Sequence, residues 1–229
     1  MGAGIEDRLA EVRHRIEAAA EKARRDPAEI TLIAVGKTFP AEVVAQAVRA
    51  GATDLGENRV QEAVAKRPVV PPATWHLIGP LQRNKAGAAL ASFDVIHTVD
   101  RAEIAERLQL LLERDWPGRR QRVLMEVNIG REPQKAGVLP EDARVLATSI
   151  HGHGRLELLG LMAIPPFGDD PEASRPHFRA LRELRDRLRD DLGRALPQLS
   201  IGMSLDFEVA IAEGATMVRV GTAIFGERG

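Results

Sequence analysis

Between residues 30 and 220 the chain alternates, eight times over, between a short extended run and sequence competent to form a helix. Few architectures accommodate that rhythm. The extended runs are read at 30–36, 53–56, 75–79, 94–98, 122–129, 156–164, 199–202 and 217–220, with helical periodicity at 41–50, 61–67, 84–91, 101–114, 140–150, 176–196 and 205–212. The first run, ITLIAVG, is apolar at consecutive positions and rich in β-branched residues, as expected of a parallel strand buried on both faces. Each strand leads into helical sequence, which predicts a closed (β/α)8 barrel in preference to an open doubly wound sheet. Residues 5–25 place Ile5, Leu9, Val12 and Ile16 on one face and predict an extra amphipathic helix ahead of the repeat. The loop at 165–172 lies within a repeat unit, so one domain is expected over residues 1–229.

Composition narrows the function. Net charge is −1, without the basic field that gathers nucleic acid or anionic lipid. No apolar stretch is long enough to span a bilayer, and the charged N-terminus lacks the core of a signal peptide; a cytoplasmic protein is expected. Cysteine and tyrosine are both absent, which removes thiolate chemistry and any tyrosine base. Only five residues are lysines: Lys22, Lys37, Lys66, Lys85 and Lys135.

In a barrel of this type, functional groups gather where the strands end and the βα loops converge. Lys37 directly follows the first strand. An apolar floor there would disfavour the ammonium form and leave an amine able to condense with an aldehyde, although position alone also fits a solvated loop lysine. After the last strand, GTAIFG puts small residues Gly221, Thr222 and Gly226 where barrels often hold a phosphate. Ser204, after the seventh strand, is a hydroxyl for the same purpose, an N-cap for the next helix, or both. Arg219 and Val220 alternate across the pleat, so one of them points into the barrel. Glu57 and Asn58 follow the second strand, where capping the next helix is the competing role. His76 reads equally as a core or a rim histidine, while His151 and His153 lie in a glycine turn with no third metal ligand nearby. Asp169 and Asp170 read as exposed loop residues.

Six segments in order, AVGKTFP, GENRVQE, WHLIGPLQRNK, GLMAIPP, IGMSLDFEVAIAEG and MVRVGTAIFG, resemble the signature segments of the pyridoxal-phosphate homeostasis (YggS/PROSC-type) proteins from about residue 30 to residue 226. The resemblance implies a barrel like the N-terminal domain of alanine racemase, with pyridoxal 5′-phosphate as cofactor and Lys37 as its Schiff-base lysine. It further implies Ser204, Gly221 and Thr222 at the phosphate, Arg219 near the pyridine nitrogen, and Asn58 near the ring. Gly36 departs from the serine or threonine common at its place, and Leu205 and Phe207 vary the usual pattern.

Arginine at a pyridine nitrogen keeps its own proton and leaves that nitrogen unprotonated, which weakens the cofactor as an electron sink. Alanine racemases share that arginine but add a tyrosine from a second domain; this sequence has no tyrosine, and no such domain is expected after the last barrel segment. The expectation is therefore a carrier that buffers the cofactor on Lys37 and passes it to apo-enzymes, as a monomer and without strong catalysis. The alternative is a slow racemase or lyase, with His76 or a water as its base. Lys85 and Lys135 are the spare lysines for a second cofactor site.

Overall fold

The structure is a computed structural model and describes residues 4–226. A first helix, α1 (Ile5–Lys22), precedes eight strands: β1 (Thr31–Val35), β2 (Asp54–Glu57), β3 (Thr74–Leu77), β4 (Val95–Val99), β5 (Gln121–Glu126), β6 (Leu156–Met162), β7 (Gln198–Ser200) and β8 (Met217–Val220). Between and after them lie α2 (Ala41–Arg49), α3 (Val60–Lys66), α4 (Ala86–Ser92), α5 (Ala102–Asp115), α6 (Ala143–Gly152), α7 (Arg175–Leu192), α8 (Phe207–Ala212) and α9 (Thr222–Phe225). The strands close in chain order into a parallel barrel, and β1 pairs with β8 with Ile33 opposite Arg219. The (β/α)8 expectation holds, including the helix ahead of the repeat.

Period-two alternation divides the core. Ile33, Val95, Leu124, Met162 and Met217 form a cluster of their own, the apolar part of the barrel lumen. The larger cluster lies between strands and helices and includes Trp75, Phe93, Phe178 and Phe207, all essentially without solvent exposure. Burying each such side chain contributes about 1.5–3 kcal/mol. α1 packs on α8 and α9, fixed by a two-pronged contact from Arg15 to Glu208 Oε1 at 2.5 and 2.8 Å. No helix among the described residues is long and apolar enough to cross a membrane.

Several edges differ from the sequence reading. The strand expected over 122–129 ends at Glu126, because Val127 onward bends back to bridge Val138 while Asn128 binds the backbone of Glu132. The strand expected over 75–79 ends at Leu77: a Cβ on Gly79 would lie 2.3 Å from the Asn58 carbonyl oxygen, so the chain turns there against the neighbouring loop. The helix expected over 176–196 stops at Leu192, with Gly193 taking the left-handed cap conformation at φ 59°.

Candidate functional site

Every strand points its carboxyl end to one mouth, and Lys37, Asn58, Ser204, Gly221 and Thr222 follow strands there. Lys37 leaves β1 half-buried, and its two neighbours are held from below. Lys66 Nζ donates to the Gly36 carbonyl at 2.9 Å and to Glu57 Oε1 at 2.7 Å. Thr38 has φ 69°, a left-handed conformation costly for a β-branched residue, and its N–H donates to Glu62 Oε2 at 2.8 Å. Lys66, Glu57 and Glu62 thus grip the backbone on both sides of Lys37. Glu57 is fully buried, and burial pushes its carboxyl up to about 7 despite the lysine beside it. Gly36 also acquires a reason: a Cβ there would sit 2.7 Å from Val44 Cγ2, so this chain fills with valine the space a serine side chain would need.

Arg219 points into the barrel. It is 4% exposed, and its Nη1 donates to the carbonyl and to Oγ of Ser200, each at 2.7 Å, while Nη2 donates to the Ala163 carbonyl at 3.0 Å. Those bonds use three of the five N–H donors of a guanidinium. Burial lowers Arg219 to about 10, so it stays cationic at neutral pH.

Ser204 is not the helix cap. The cap position of α8 belongs to Asp206, whose carboxylate instead accepts from the Met203 N–H and the Ser174 hydroxyl, each at 2.8 Å, and so pins the β7–α8 loop. Ser204 Oγ meets the N–H of Gly221 at 3.3 Å and of Ala223 at 3.5 Å, which brings Gly221 and Thr222 beside it. Gly221 in turn packs by Val35 at the end of β1, next to Lys37. Asn58, half-buried, lines a cavity of about 600 Å³ with Arg59, Pro80 and Lys85 beside the same mouth.

The sequence reading missed Glu126. It ends β5, is 6% exposed, and its Oε2 is buried without a hydrogen-bond partner. Burial, with Asp100 nearby, pushes it up to about 7 against the pull of Arg219. The only sequence signal was an acidic residue in the final, mouth-facing position of a strand. His76, by contrast, does not reach the mouth. It is 1% exposed and both ring nitrogens are engaged within the lumen, by Asp54 at 2.9 Å and by His97 at 2.8 Å. Lys135 pairs with Glu132 and donates to the Pro165 carbonyl at 2.8 Å. Among the described residues no three His, Asp or Glu side chains gather as metal ligands, and Asp170 caps the turn that follows it.

A half-buried lysine, a buried arginine and a serine beside backbone N–H groups share one mouth, a donor set that suits an anionic aldehyde. Residues 8–229 match the family model for the alanine racemase N-terminal domain. The pyridoxal phosphate homeostasis protein of Aquifex aeolicus is 44% identical over 225 residues, 97% of each chain.

The chain belongs to the pyridoxal phosphate homeostasis protein family. Among solved structures, PipY of Synechococcus elongatus PCC7942, determined with pyridoxal phosphate bound, superposes with a TM-score of 0.84 at 37% identity, covering 97% of this chain and 100% of PipY. Alanine racemase from Corynebacterium glutamicum shares the fold at a TM-score of 0.66 and 18% identity; the match covers 94% of this chain and 60% of the racemase.

Proposed function

We propose that this member of the family is a reversible carrier of pyridoxal 5′-phosphate, holding it on Lys37 and releasing it to apo-enzymes in the cytoplasm, as a monomer. Lys37 would hold the cofactor, which would supply an aldehyde for reversible condensation with the amine, one water leaving on capture and returning on release. The observation that carries the reading is the adjacency, across the β1–β8 closure, of Lys37, the inward Arg219 and the Ser204–Gly221 contact.

Each residue has a defined task in that reading. The Lys66–Glu57–Glu62 grip fixes the backbone at Lys37 and so the reach of its amine. Ser204 with the amides of Gly221, Thr222 and Ala223 binds the phosphate, and Asn58 flanks the ring. Arg219, cationic and a donor only, would donate to the ring nitrogen and so leave it unprotonated. Tight capture of the aldehyde without a strong electron sink suits storage better than turnover.

Titration of the purified protein with pyridoxal phosphate tests this. A visible imine band that disappears in Lys37→Ala supports it, and no band in wild type overturns it. A slow racemase or lyase is the rival reading, and Glu126, a buried carboxyl pushed up to about 7, favours it as an acid–base group in place of His76. Incubation with single-enantiomer alanine decides: racemisation that Lys37→Ala abolishes would replace the carrier with an enzyme.

A further inference from the structure

A line of polar side chains crosses the otherwise apolar lumen. Asp54 opens β2 at the amino-terminal face of the barrel, where it lines a surface cavity of about 410 Å³ together with Thr31 and Thr53. Its Oδ1 lies 2.9 Å from His76 Nε2, His76 Nδ1 lies 2.8 Å from His97 Nε2, and His97 Nδ1 lies 3.0 Å from Ser200 Oγ. Ser200 Oγ then receives Arg219 Nη1 at 2.7 Å. His97 is on β4 and Ser200 on β7, which are not neighbours in the sheet, so their bond spans the lumen. The irregular register between Ile96 and Val99 falls at His97, as expected where a strand re-aims a side chain. His76, His97 and Ser200 are each at most 1% exposed.

We propose that Asp54, His76, His97 and Ser200 form a polarised hydrogen-bond relay that positions Arg219 at the mouth from the opposite face of the barrel. With both rings neutral, one direction of donors remains. A carboxylate only accepts, so His76 carries its proton on Nε2 and presents a bare Nδ1. That nitrogen must receive His97 Nε2–H, which leaves His97 Nδ1 bare, and the Ser200 hydroxyl donates to it. Ser200 Oγ thereby turns its lone pairs to the guanidinium. Reversing the order with a neutral His76 would set its bare Nε2 against the Asp54 carboxylate, leaving two acceptors face to face. Burial, assisted by His76 and Arg219, holds His97 well below the usual histidine range, in keeping with a neutral ring. All four are positioning residues, acting on the mouth only through Arg219. The ligand half of this inference rests on the carrier reading; the tautomer half does not.

The experiment has two arms. In the first, ¹⁵N-histidine NMR of the ligand-free protein near neutral pH reads the proton on each ring. Wild type should show Nε2–H at both His76 and His97, and Asp54→Asn, isosteric and at a partly open position, should give His97 a mixture of tautomers although His76 stands between the two in the chain of hydrogen bonds. An Nδ1–H ring in wild type, or an unchanged His97 in Asp54→Asn, overturns the relay. In the second arm, pyridoxal phosphate affinity should weaken about two- to tenfold in Asp54→Asn, and the pH midpoint of the visible band should move, while Asp170→Asn on the exposed loop matches wild type. An Asp54→Asn affinity and midpoint equal to those of Asp170→Asn would overturn the positioning role. Should wild type give no band, the carrier reading fails while the NMR arm still judges the relay.

Discussion

Lys66 Nζ lies 2.7 Å from Glu57 Oε1 and 2.9 Å from the carbonyl oxygen of Gly36, so one buried lysine ties the end of β2 to the residue immediately before Lys37. Removing one member of a buried charged pair leaves the other uncompensated. Lys66→Met should therefore lose about 3–5 kcal/mol of stability in urea denaturation at pH 8. The loss should shrink at pH 5, where Glu57, already pushed up to about 7, takes a proton. An equal loss at both pH values would show that packing, not charge, sets the cost.

Glu126→Gln should stabilise the protein at pH 8 and change little at pH 4. Folding raises this carboxyl from its ordinary 4.5 to about 7, so the folded state holds an extra proton between those values. Wild-type stability thus falls as pH rises through that window, by on the order of 3 kcal/mol for this group, and is flat above it. Thermal melts of both proteins across pH 4–9 check the sign; parallel curves would contradict it.

Ser204→Ala should weaken pyridoxal phosphate binding about tenfold, the worth of one hydrogen bond to a charged group. Pyridoxal, which lacks the phosphate, should bind the variant and wild type alike. Equal weakening for both compounds would move Ser204 away from the phosphate.

Gly36→Ser tests whether Val44 leaves room for a side chain at residue 36. The added Cβ meets Val44 Cγ2 at 2.7 Å, an overpacking that costs about 1–3 kcal/mol. Gly36→Ser combined with Val44→Ala should recover most of that loss in the same denaturation assay, and no recovery would place the strain elsewhere.

The repeat was legible because consecutive apolar residues mark parallel strands, and the parity of Arg219 against Val220 limited its side chain to one of two faces. Strand ends were less so. Leu77 and Glu126 terminate strands through contacts that Gly79 makes with Asn58 and Val127 with Val138, which no local period encodes. Ser204 looked like a cap because caps are decided locally, whereas its partners lie on the loop after β8. The relay was invisible for a similar reason: His97 and Ser200 stand 103 residues apart and meet only across a closed lumen. Lys66 and Glu57 could be named from the sequence, but not their burial together.

Closure of β8 on β1 makes the seam of the barrel the join between the first strand made and the last. Lys37 stands on one side of that seam, and Arg219, Gly221 and Thr222 on the other. In the carrier reading, a nascent chain presents the lysine early, yet the proposed seat for the phosphate forms only once β8 has docked on β1. A ligand bridging the seam would also tie β8 to β1 and favour the closed barrel. Capture would then select finished molecules and hold them shut.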